Sequence, residues 1–141
     1  MNRPLRFTLI LLSAGLLVSG GIASAQSRAD PGKREYESRC ATCHGVDGKG
    51  NGPSAGILSK PVPDITTLAR RNGGVFPITR VYATIEGEGV PAHGSRDMPI
   101  WGSQYRMQAG EHYADMPYNA EAYVRTRILW LAEYLYRLQV K

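Results

Sequence analysis

The chain has 141 residues, a formal net charge of +5 and 43% hydrophobic residues. That length holds one small domain, and the apolar content excludes a disordered chain. Sixteen glycines and nine prolines predict long loops between few regular elements.

The N-terminus reads first. Arg3 and Arg6 form a short positive region, residues 7–22 carry no charge and are rich in leucine, and Ala23-Ser24-Ala25 offers small residues at a cleavage site. This pattern predicts a secretory signal peptide over residues 1–25, cut after Ala25. The alternative is an uncleaved anchor. Against it, the apolar run is shorter than the ~20 residues a spanning helix needs and is broken by Ser and Gly. Cleavage leaves residues 26–141 as one domain. It removes only Arg3 and Arg6, lowers the charge from +5 to +3, and places the protein in the periplasm with no stable membrane span.

Asp30 can cap a helix and Pro31 suits its first turn, so a helix is expected from there to about Cys43. Residues 45–53 hold four glycines and a proline and form a loop. Pro61-Val62-Pro63 is extended. Asp64 then caps a short helix that turns Ile65 and Leu68 inward and ends at Gly73-Gly74. Pro77 or Thr79 opens another, with Ile78, Val81, Tyr82 and Ile85 at helical spacing and Gly87 as its stop. Residues 90–119 are expected to be irregular, punctuated by Pro91, Gly94, Pro99, Gly102, Gly110 and Pro117. So long a stretch is usually functional or wrapped on something.

The last element has the clearest pattern. Val124, Ile128, Leu131, Leu135 and Leu138 follow one another at spacings of 4, 3, 4 and 3, an apolar stripe on a helix over residues 120–139. Trp130 and Tyr134 widen the stripe, while Arg125, Arg127, Glu133 and Arg137 lie opposite or at its edges. No segment alternates as a strand does, which gives an all-α class. The tripeptide Asp-Met-Pro occurs twice, at 97–99 and 115–117.

Chemistry concentrates at Cys40-Ala41-Thr42-Cys43-His44. Two cysteines in an exported chain usually form a disulfide, but this spacing is the C-x-x-C-H signature of covalent haem attachment. Thiols three residues apart on a helical turn reach two vinyl groups of one porphyrin, and the next residue, His44, sits under the ring to bind iron. A redox dithiol of this spacing follows a strand, and strands are missing. A zinc site needs more soft ligands than the chain offers.

The surrounding residues resemble class I cytochromes c. Gly32-x3-Tyr36-x3-Cys40 is similar to that family's first helix, Asp47-Gly48-x-Gly50-x-Gly52-Pro53 to its loop after the haem histidine, and Leu131-x2-Tyr134-Leu135 to its terminal helix. His93-Gly94-x2-Asp97-Met98-Pro99-x-Trp101-Gly102 resembles the axial-methionine segment of bacterial members with the pattern Met-Pro-x-Trp-Gly. The likeness covers about residues 30–140 except much of 103–119. It implies a small helical domain wrapped around one haem c, whose iron is held by His44 and Met98. Met98 follows His44 by 54 residues, and Pro99 stiffens the chain behind it. Met116, with the same Asp and Pro beside it, is the rival ligand. Met107 reads as packing or surface. His93 and His112 could also reach iron, although thioether ligation gives the higher potential. His93 is similar to a family position near the haem edge.

The resemblance also implies that His44 donates its second ring nitrogen to the carbonyl of Pro53. Trp101 either donates its indole N–H to a haem propionate or is a core aromatic. Arg80 and Arg96 are propionate partners or surface residues. An iron with both axial positions filled has no place for substrate, so the expected function is electron transfer. The protein is then not an enzyme but a free carrier or a relay subunit of a redox complex, with dehydrogenases, oxidases or other cytochromes as partners. The alternative is a haem enzyme or gas- or peroxide-binding protein with an open distal site. Residues 103–119, with Tyr105, Tyr113 and Tyr118, are a candidate docking surface. Scattered basic residues in an exported chain argue against nucleic acid.

Overall fold

The computed structural model describes residues 30–87, 98–115 and 117–141. The signal peptide expected over 1–25, and His93, Arg96 and Met116, lie outside the described residues. Among those described there are helices and no strands, as the sequence predicts.

Helix α1 spans Pro31–Arg39, with the Asp30 carboxylate accepting a hydrogen bond from the Lys33 N–H at 3.0 Å and proline in the first turn. The expected single helix to Cys43 is instead two. Cys40, at φ −111°, closes α1 and opens α2, Ala41–His44. The turn aims the end of α2 at the glycine loop. The amides of Gly50, Gly52 and Ser54 donate to the carbonyls of His44, Cys43 and Thr42 at 2.8, 3.1 and 2.8 Å. Carbonyls that a longer helix would have used are thus satisfied by the loop.

Asp64 does not cap the next helix. Its carboxylate accepts from the amide and hydroxyl of Thr66 at 2.8 and 2.7 Å, making a tight turn, and α3 is only Leu68–Arg71. Helix α4, Ile78–Glu86, buries Val81 and Ile85 and ends at Gly87. Ile78, expected on the inner face, is half exposed.

The largest departure is α5, Trp101–His112, within the stretch expected to be irregular. It buries Trp101, Tyr105 and Ala109, spaced four apart on one face. Gly102 does not break it. A Cβ there would stand 2.5 Å from the Glu86 carbonyl oxygen, so glycine lets α5 close on the end of α4. Arg106 donates to Glu86 at 3.0 Å and to Glu121 at 2.8 Å, tying α4, α5 and α6 together.

Helix α6, Ala120–Arg137, begins at Asn119, whose side chain accepts from the Ala122 N–H at 3.1 Å. It buries Val124, Ile128, Leu131, Tyr134 and Leu135, the expected stripe. Trp130 does not widen that stripe. It is 37% exposed, because the position faces outward when its neighbours at 128 and 131 face in. Below α6, the Gln139 side chain donates to the Ile65 carbonyl and accepts from the Ala69 amide, each at 2.9 Å, holding the α3 segment.

Helices α1 and α6 cross against each other. Tyr36 and Tyr134 rings meet with centroids 5.1 Å apart, and Arg137 pairs with Asp30. At the crossing a Cβ on Gly32 would lie 2.2 Å from the Trp130 carbonyl oxygen. That atom is backbone and cannot swing aside. Gly32→Ala gains about 1 kcal/mol in helix propensity and loses more by forcing the helices apart. A net destabilisation of about 1–2 kcal/mol is expected, read as a lower denaturation midpoint of the haem-loaded protein. An unchanged midpoint would mean that the helices do not cross this closely.

Candidate functional site

The helices enclose an apolar cavity of about 410 Å³ among the described residues. Tyr36 of α1, Cys40 and His44 form one lip. Pro63, Ile65 and Leu68 form a second wall, Val81 and Ile85 of α4 a third. Leu131 and Leu135 of α6 make the floor, and Met98 and Trp101 complete the enclosure. His44 and Met98, 54 residues apart in sequence, thus line the same space. Arg71 and Arg80 stand at its margin with their side chains largely in solvent.

The lip is firmly held. The Tyr36 hydroxyl, buried, donates to the Gly45 carbonyl at 2.6 Å and fixes the turn that follows His44. Burial also pushes the Tyr36 phenol well above its ordinary pKa, so it stays a donor. Cys40 and Cys43 are both free thiols and half buried. Burial, with the Glu35 carboxylate adding to it, pushes the Cys40 thiol up to about 12. Among the described residues, no group of three or more His, Cys, Asp or Glu side chains is placed to hold a bare metal ion.

Pro53 lies in the strap beside α2, exposed, next to Gly52 and its bond to the Cys43 carbonyl. Trp101 is 8% exposed and forms part of the cavity wall. His112 is not brought to the cavity. It sits at the far end of α5, its ring edge-on to Tyr113 at 4.7 Å. Met107 is 60% exposed, which decides for surface over packing. Tyr105 cannot serve a docking surface, because it is fully buried. Tyr113 and Tyr118 stack on each other at 3.9 Å, packed by Tyr123.

Sequence reasoning missed a buried ionic cluster behind the Trp101 wall. The Glu35 carboxylate accepts from Arg39 at 2.5 Å, from the Tyr105 hydroxyl at 2.9 Å and from Arg127. Only the Glu35–Arg39 spacing of four was visible in the sequence; Tyr105 and Arg127 arrive from α5 and α6.

An apolar crevice in a shell of helices, with the Cys40 thiol and the His44 imidazole on one lip, Cys43 directly before that histidine and a thioether on its wall, defines an all-α protein built to enclose a haem. The imidazole and thioether are a donor pair that haem iron accepts, and the walls offer the dry surface a porphyrin needs. The family model for cytochrome c matches residues 29–121, and the chain belongs to the cytochrome c family. Its cofactor is accordingly haem c with iron, and membership points to haem-based electron transfer with redox partners. No curated protein and no solved structure matches the chain. No described helix is long and apolar enough to cross a membrane.

Proposed function

We propose that this chain is a periplasmic electron-transfer protein of the class I type, carrying one haem bound by thioethers at Cys40 and Cys43 and ligated by His44 and Met98. The observation that carries the reading is that His44 and Met98 line one apolar cavity. The bound haem supplies a one-electron Fe(III)/Fe(II) couple. The chain's own residues do the rest. His44 and Met98 would hold the iron between them, and so held it would offer substrate no place to bind. With haem in place Pro53 would orient His44 through its carbonyl, and Trp101, part of the wall, would offer its indole N–H to a propionate. Leu131, Leu135, Val81 and Ile85 exclude water, which favours the less charged reduced state. The protein works as a free carrier or as the relay subunit of a redox complex and is not itself an enzyme. Residues 1–25 direct its export and are cleaved; an uncleaved N-terminal anchor is the other route to the same compartment.

Carbon monoxide tests the closed iron. Added to the reduced protein, it should leave the visible spectrum unchanged over minutes. Rapid binding would mean an open distal site and would assign gas or peroxide chemistry instead.

A further inference from the structure

We propose that the Glu35–Arg39–Arg127 cluster sets the reduction potential of the haem, with Arg39 as the positioning residue that delivers positive charge to the back of the Trp101 wall. This rests on the electron-transfer reading above.

The cluster holds one carboxylate and two guanidinium groups. Glu35 is 6% exposed and takes hydrogen bonds from Arg39, Arg127 and Tyr105, so its negative charge is fully engaged. The surplus is one positive charge in a partly buried region. Arg39 is the member nearest the crevice. It directly precedes Cys40, and its guanidinium lies 5.4 Å from the centre of the Trp101 ring, whose face forms part of the cavity wall. A second ring, Tyr105, lies 5.5 Å away, and Gln108 accepts from Arg39 at 3.0 Å, so the group is fixed in place. Arg127 stands further back, donating to the Tyr123 hydroxyl at 2.5 Å and lying over that ring.

Ion networks of this kind contribute little net stability compared with apolar residues of the same volume. Their field, however, acts on any charge that changes nearby, and low dielectric strengthens it. Reduction adds one electron to the haem. A fixed positive charge behind the wall favours that electron, and Glu35 partly offsets the effect. Opposite signs therefore follow for opposite charges.

Spectroelectrochemical titration of the haem-loaded protein tests this. Arg39→Gln should favour the oxidised state about tenfold, a fall of about 59 mV for one electron. Arg39→Lys keeps the charge and should hold the potential near that of the parent. Arg127→Gln should shift the same way as Arg39→Gln but less, and Glu35→Gln should shift the opposite way. Equal falls in Arg39→Gln and Arg39→Lys would overturn the proposal, since lost packing alone explains them; so would a fall in Glu35→Gln or no shift in Arg39→Gln. Should Glu35→Gln fail to take up haem, the Arg39 pair decides alone. Failure of the electron-transfer reading shows separately, as a parent protein whose spectrum lacks His/Met ligation or whose iron binds carbon monoxide.

Discussion

Replacing both Cys40 and Cys43 with alanine is expected to abolish covalent haem and to leave a chain that no longer holds its native fold. These are the only two cysteines in the sequence, so no other thiol can substitute. The cavity explains the second effect. Taken as a sealed void, about 410 Å³ would cost roughly 10 kcal/mol at ~24 cal/mol per Å³. Its open side admits water and lowers that figure, yet the walls are apolar and gain little from being wet. A small domain's whole stability is about 5–15 kcal/mol. Haem is therefore part of the core, and losing its tether should reduce the protein to a species cleaved readily by protease. Haem staining of a denaturing gel reads the first effect and limited proteolysis the second. The double variant should show no stained band, and each single variant, with one thioether left, a weaker one. Haem still migrating with the doubly substituted chain would sink the attachment assignment.

Met98→Ala should remove the charge-transfer absorption of His/Met ligation, lower the potential by on the order of 100 mV or more, and open the iron to carbon monoxide. Met98 is partly buried against the core and lines the same cavity as His44. It stands three residues before α5, whose first residue, Trp101, is locked in the wall. A ligand fixed by such a neighbour needs little reorganisation when iron changes charge. Met116→Ala is expected to leave band and potential as they were. Survival of the band in Met98→Ala and its loss in Met116→Ala would transfer the ligand role to the second Asp-Met-Pro.

These two predictions draw on different depths of legibility. The proposed attachment residues are neighbours in sequence, so spacing alone singles them out. Met98 is remote from His44 and was reached through resemblance, because no local rule links positions 54 apart. The terminal helix was readable from its 4, 3, 4, 3 stripe. Helix α5 was not, because Gly102 and Gly110 counted as breakers, and its inner face is Trp, Tyr and Ala instead of an aliphatic stripe. Its glycine at 102 answers a packing need across to Glu86 that only the assembled fold discloses. The break at Cys40 was hidden for a similar reason, since the partners of the α2 carbonyls are loop amides up to 12 residues away. The Glu35 cluster lies at the limit. Tyr105 and Arg127 lie 70 and 92 residues beyond Glu35, and in sequence Glu35 and Arg127 look like ordinary surface charges.

The crossing of α1 and α6 bears on the order of events when the protein is made. Gly32 meets a backbone atom almost a hundred residues further on, and α6 supplies both Leu131 and Leu135 to the floor of the crevice. Until α6 emerges, the lip of the crevice that bears Cys40 and His44 lacks the floor it closes over. Joining ends so far apart is a late, non-local step, slower than forming any single helix. During that interval Cys40, partly buried in the finished protein, stands open to whatever catalyses its bond to the porphyrin. Helix α6, by docking late, ends that access.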